Sequence, residues 1–218
     1  MQILVIGNES NLDELKQKFG STHTYSLART EAETKNGLRD AEVVFDFIPD
    51  KTTMTCYATW KRPLFLNTSF TTLSDLIDKP ELEKNDLVFG FCGLPTFFNR
   101  PVLEVSTASL SNSELLKSIC DQLKTDFVCV EDRVGLVTAR VICMIINEAY
   151  CALEEGIASR NDIDLAMKLG TNYPFGPFEW ANRIGLTHVI NLLDAVYRDT
   201  GDVRYSVCNL LRSESKTL

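Results

Sequence analysis

Six short apolar runs, each almost free of charge, fall in the first half of the chain: QILVIG, THTYSLA, EVVFDFI, PLFLNT, LVFGFCG and VLEVSTA. Runs that are short and continuous, rather than alternating with polar residues, are the pattern of strands covered on both faces, and hence of a mostly parallel sheet. The stretches between them are short or helical, as in βαβ units. Near Ser106 the period changes. NSELLKSICDQLK, VGLVTARVICMIINEAYCALEEGI, DIDLAMKLG, PFEWANRIG and THVINLLDAVYRDTG all read as helices, with DFVCV as one more strand between the first two. The spacing predicts an α/β chain: a mostly parallel sheet domain over residues 1–106, then an all-α domain over residues 107–218.

The first strand runs into Gly7 and then a helix expected from Asn11 to Phe19. A dinucleotide-binding fold begins this way, with a G-x-G-x-x-G turn under the pyrophosphate. Here the second glycine position is Glu9 and the third is Leu12. The second glycine lets backbone approach the phosphates, and the third lets helix pack on strand. Gly7 is then either a tight turn alone or a remaining cofactor contact. Ser10 with Asp13 and Asn11 with Glu14 have the spacing of helix caps, which would satisfy the N–H groups an anion needs. The strand, turn and helix read as architecture of a shortened Rossmann-like domain that has given up its cofactor.

Charge and cysteine usage narrow the partners. A net charge of −8 and no basic stretch leave nucleic acid without a footprint. Seven cysteines, at 56, 92, 120, 129, 143, 151 and 208, form no C-x-x-C pair and read as reduced cytoplasmic thiols rather than a disulfide framework. His23 and His188 lie far apart, so no metal site is expected. The most apolar run, Val134 to Leu153, is broken by Arg140, Asn147 and Glu148 and reads as a core helix, with no membrane span expected.

The helical half resembles the C-terminal domain of the 3-hydroxyacyl-CoA dehydrogenase family. The resemblance rests on Asn147-Glu148-Ala149, Glu154-Glu155-Gly156, Asp162 to Gly170, Pro174 to Phe178, Gly185-Leu186 and the closing RYSVCNLLR. The first half is similar more thinly, through AEVVFDFIPD, LNTSFTTLSDL and GFCGLPTFFNRPVLEV. Gly7 to Asn67 is shorter than in the family, and the missing part includes, by the resemblance, a helical excursion that touches CoA. The family's reaction transfers hydride from C3 to NAD while a histidine takes the hydroxyl proton, a glutamate orients the histidine, and a serine and an asparagine hold substrate oxygens. Carried over, the glutamate is Glu104 and the serine Ser69, but the histidine position is Cys92 and the asparagine position Ala139.

Each of these positions also has a plain reading. Cys92 is either a small buried hydrophobe or a reactive thiol. Glu104 is either a buried carboxylate or a strand-end surface residue, and Ser69 either part of a polar turn or an inherited substrate contact. Trp180 and Tyr197 read as packing residues, and His188 as a core-edge or surface residue rather than a base. A thiol with an ordinary pKa of about 8.5 is a poor replacement for a histidine base. The residues therefore predict a divergent member with impaired or no dehydrogenase activity, acting as a binding or interaction protein without a cofactor. The alternatives are a functional NAD-dependent enzyme of fatty-acid metabolism, and a thiol-dependent activity on acyl thioesters through Cys92. The long helix, apolar at Val137, Val141, Ile142, Met144, Ile145 and Ile146, predicts a homodimer through the helical domain. An acyl-CoA-like small molecule is the other partner the resemblance implies, with binding expected to be weak.

Overall fold

A computed structural model of the chain describes residues 1–77, 87–107 and 113–216. Residues 108–112, where the expected passage from sheet to helices begins, and the last two residues of the expected frayed tail lie outside the described residues. The chain divides into two units, one of Met1–Gly93 with Phe97–Leu136, the other of Leu94–Thr96 with Val137–Leu218.

The first unit is built on strands β1 (Gln2–Ile6), β2 (Thr24–Ala28), β3 (Val43–Asp46), β4 (Leu64–Asn67), β5 (Val88–Phe91), β6 (Val102–Thr107) and β7 (Asp126–Val130). They form one sheet in the order β2-β1-β3-β4-β5-β6-β7. The first five are mutually parallel, β6 runs antiparallel to β5, and β7 is parallel to β6. Its helices are α1 (Glu9–Phe19), α2 (Glu31–Gly37), α3 (Lys51–Cys56), α4 (Leu73–Leu76) and α5 (Ser113–Leu123).

The two-residue alternation of the buried strands splits the core into two layers. Ile3, Val5, Val43, Phe45, Phe65 and Phe89 face one way, under Leu12, Leu15 and Phe19 of α1 and Leu116, Ile119, Cys120 and Leu123 of α5. Leu4, Ile6, Val44, Leu64 and Leu66 face the other, with Tyr57, Trp60 and Leu73. Phe45 stacks on Phe65 at 4.5 Å between ring centroids, and Phe98 meets both Phe45 and Phe91 edge-on.

The sheet unit ends at Leu136, not at residue 106. The reason is hydrophobic: α5 has its apolar face in the sheet core, and β7 pairs with β6 from Val102–Asp126 to Ser106–Val130. The helix-rich sequence after Ser106 thus begins inside the sheet unit.

The second unit holds α6 (Thr138–Glu154), α7 (Arg160–Thr171), α8 (Pro177–Ile184), α9 (Leu186–Thr200) and α10 (Asn209–Glu214). Ala139, Ile142, Cys143, Ile146, Asn147 and Tyr150 make the buried stripe of α6. Asn147 is the polar member of that stripe, and both ends of its amide are bonded. Nδ2 donates to Ser206 O at 3.0 Å and Oδ1 accepts from Cys208 N at 2.8 Å, which fixes the segment before α10. Trp180 is buried, but Tyr197 is 41% exposed, so it is not the core residue its spacing suggested.

Candidate functional site

The strand order reverses between β1 and β3, since the chain pairs β1 with β2 on one side and β3 on the other. In open parallel sheets ligands bind outside the carboxyl ends of the strands at such a point. Five segments converge on that end of the sheet unit: the Gly7–Asn8 turn, Arg29 after β2, Asp46–Ile48, Asn67–Ser69 and Phe91–Gly93.

The Gly7 turn does not fit a dinucleotide pyrophosphate. α1 begins at Glu9, two residues before the expected start, because Asn8 takes extended backbone directly after Gly7 and caps the helix. Asn8 Oδ1 accepts from Asn11 N at 3.1 Å, and Asn11 Oδ1 accepts from Asn8 N at 3.0 Å. This reciprocal box replaces the Ser10 and Asn11 caps read from spacing and consumes N–H groups an anion would use. A Cβ on Gly7 would lie 2.5 Å from Asn11 Oδ1, so the space above the glycine is filled by the protein's own carboxamide. Leu12 is buried against the sheet where a third glycine would bring the helix close. Glu9 is exposed and ion-paired with the Arg29 guanidinium. Its charge is therefore compensated, and the obstacle to a phosphate is steric and hydrogen-bonded rather than a bare carboxylate.

At the ends of β4 and β5 the expected residues do meet. Asn67 is the organiser. Its Nδ2 donates to Phe47 O at 2.9 Å, while its Oδ1 accepts from Ser69 Oγ at 2.6 Å and from Gly93 N at 2.9 Å. One carboxamide thus ties together the chain leaving β3, β4 and β5. Ser69 Oγ also accepts from Gly93 N at 3.1 Å and lies 3.5 Å from Cys92 Sγ. Ser69 and Cys92 are both buried. β6, which carries Glu104, pairs antiparallel with β5 as far as the Phe91–Val105 rung, one residue short of both Cys92 and Glu104. Ala139, the fourth position, is buried in α6 of the helical unit.

Two residues were not anticipated. Arg100 lies within electrostatic reach of both Glu104 and Cys92, and burial holds its guanidinium below the usual range. Its only sequence signal was a lone cation in the apolar stretch FFNRPV. Asp46, at the carboxyl end of β3, is wholly buried. Its Oδ1 accepts from Ile48 N at 2.9 Å and its Oδ2 from Tyr57 Oη at 2.8 Å. Burial pushes this carboxyl up to about 6 despite those bonds. An acidic residue inside the run EVVFDFI was the available signal. Among the described residues no three His, Cys, Asp or Glu side chains are placed to hold a metal ion, and no helix is long and apolar enough to cross a membrane.

Two of the motifs that carry the resemblance in the helical unit have a structural explanation. The Asp164 carboxylate accepts from Phe178 N at 2.8 Å and Glu179 N at 3.2 Å, capping α8 from α7. The D-I-D segment and the P-F-G-P-F turn are therefore two halves of one cap.

A Rossmann-type sheet unit and a separate all-α unit in one chain define a two-unit α/β class of fold. Residues 135–217 match the family described as 3-hydroxyacyl-CoA dehydrogenase, C-terminal domain. A 3-hydroxybutyryl-CoA dehydrogenase of Clostridioides difficile is 32% identical over 159 residues, covering 68% of this chain and 53% of that protein. A 3-hydroxyadipyl-CoA dehydrogenase of Escherichia coli K12 is 43% identical over 86 residues, covering 39% of this chain and 18% of that protein. The chain thus spans about half or less of these curated relatives. Among solved structures, (S)-3-hydroxybutyryl-CoA dehydrogenase from Ralstonia eutropha shares the fold with a TM-score of 0.77, at 20% identity, over 99% of this chain and 93% of that one. The chain belongs to the 3-hydroxyacyl-CoA dehydrogenase family, most clearly through its C-terminal half.

Proposed function

We propose that this chain is a divergent 3-hydroxyacyl-CoA dehydrogenase-family protein that binds a partner or small molecule and has lost efficient NAD-dependent turnover. The observation that carries the reading is the Asn8–Asn11 capping box, which fills the turn where a pyrophosphate would need open N–H groups. The substitution of the base position by Cys92 supports it from the chemical side, since general-base catalysis contributes about 10²–10⁴-fold. Titration with NADH, followed by its fluorescence, tests the reading. The expected result is no saturable enhancement up to about 100 μM, the concentration that corresponds to roughly −5.5 kcal/mol. Saturation below that, with NAD-dependent oxidation of 3-hydroxybutyryl-CoA, makes the protein a working dehydrogenase and overturns the proposal.

A thiol-dependent reading has one observation in its favour, the proximity of Arg100 to Cys92. A guanidinium beside a thiol is what would favour a thiolate. Its test is acyl transfer from an acyl thioester to the protein, detected as a mass increase abolished in Cys92→Ser.

We further propose that the helical unit forms a homodimer. Val141 is 49% exposed on α6, and Ile157 and Leu169 are 70% and 77% exposed around α7. α7 has an apolar stripe and no buried residue, the composition of a helix that packs against a second chain.

A further inference from the structure

Cys208 straddles one face of α6. Its backbone N donates to Asn147 Oδ1 at 2.8 Å, and its Sγ lies 3.4 Å from Glu154 Oε2. Cys151 is one helical turn beyond Asn147 and one turn short of Glu154, so it occupies the same face between the two anchors. Both anchors of Cys208 thus bracket Cys151 on this face, and the Cys208 thiol is near enough to act electrostatically on that of Cys151. Cys208 is buried and Cys151 half-buried, which leaves one sulfur open to a reagent and the other held against it. A dithiol fixed at both ends in this way has already undergone most of the ordering that cross-linking requires.

We propose that Cys151 and Cys208 are a modification site: a dithiol that closes to an intramolecular disulfide and staples the closing segment, through α10, to α6. The reaction partner is a low-molecular-weight disulfide. Cys151 Sγ loses its proton to solvent and attacks one sulfur of the reagent, whose S–S bond breaks and releases one thiolate. Cys208 Sγ loses its proton, attacks Cys151 Sγ of the mixed disulfide and expels the second reagent thiolate. The protein gives up two electrons and two protons, and the reagent is reduced to two thiols.

The environment sets both the rate and the direction. Burial, then the Cys208 thiol, push Cys151 up to about 11. The thiolate is scarce at neutral pH, so closure is slow there and accelerates about tenfold per pH unit. The same high pKa makes the thiolate a poor leaving group, so the disulfide once formed resists reduction.

The test uses the full chain, reduced and then equilibrated in mixtures of oxidised and reduced dithiothreitol, acid-quenched, alkylated and mapped by mass spectrometry. In the oxidising mixtures the alkylatable thiols fall by two from the seven in the chain. A single cross-linked peptide pair joins residues 151 and 208, lighter by two hydrogens. Cys151→Ser and Cys208→Ser each abolish it while leaving the other thiols unchanged. Alkylation of both residues at every ratio, or a cross-link that joins either of them to a different cysteine or to a second chain, overturns the proposal. Circular dichroism of the serine variants separates loss of the cross-link from loss of the fold.

Discussion

Gly176 has no room for any side chain. A Cβ there would lie 2.3 Å from the Asp164 Cγ, inside the cap of α8. Gly176→Ala must displace that carboxylate, and the expected loss is about 2–3 kcal/mol, combining a broken cap with overpacking. Asp164→Ala is expected to cost about 1–2 kcal/mol. The two are coupled, so in the Asp164→Ala background Gly176→Ala adds little. Full additivity in a double-mutant cycle of urea unfolding would falsify the two-part cap. Both residues were visible in sequence as parts of separate motifs. Their joining was not, because it depends on how α7 and α8 cross.

Asp46 gives a pH dependence of defined sign. Its folded pKa of about 6 is raised above the ordinary 3.8, so the folded chain holds the proton more tightly than the unfolded one. The associated stability is complete below about pH 4 and is lost as pH rises through 6. Above that the ionised, buried carboxylate costs about 3 kcal/mol relative to a neutral group, at 1.36 kcal/mol per pKa unit. Asp46→Asn keeps an acceptor and removes the charge, and the Tyr57 hydroxyl can turn to accept instead of donate. Urea midpoints should show the variant more stable than the parent by about 1–3 kcal/mol at pH 7.5, with the difference vanishing near pH 4. An unchanged difference across that range would mean the carboxyl does not titrate there.

At the scale of elements, helix existence was legible in the sequence and helix ends were less so. The apolar periods of α1, α6 and α9 are long and regular. The start of α1 shifted because a cap is a matter of backbone dihedrals, and Asn8 follows a glycine that lets the chain turn at once. The closing α10 is short and was read only as part of a family segment. It is held by Asn147 rather than by its own propensity. Closing the Cys151–Cys208 bond should stabilise this element most. In the chain-entropy account the loop between those residues is worth about 4 kcal/mol. Oxidised protein should therefore unfold at a higher urea concentration than reduced protein, and Cys151→Ser should erase the difference.

For the whole molecule the testable quantity is the oligomeric state. Sedimentation equilibrium at tens of micromolar should give the mass of two chains, and Leu169→Glu, with a charge on the most exposed apolar position of α7, should shift the equilibrium toward one. A single-chain mass for the parent at that concentration removes the homodimer. The surface involved, like the exposure of Val141, could not be read from a stripe that looks apolar all round, since only packing decides which of its sides the same chain covers.

The sequence by itself determined the class of fold. Buried parallel strands must be apolar on both faces, and the runs said so. It also determined the family, because the helical motifs are local and survive in order. It located Ser69 and Cys92 in chain segments that do come together, since both follow strands of one sheet. The tertiary structure decided the rest. The unit boundary moved to Leu136 because β7 completes the sheet through hydrogen bonds to a strand far away in sequence. The strand order places β3 beside β1, and that pairing is long-range. The Gly7 turn is closed by a carboxamide whose direction depends on the cap, and Asp46 and Arg100 acquire their altered acidities only through burial. Each of these is set by groups brought together from distant parts of the chain, for which no local pattern exists.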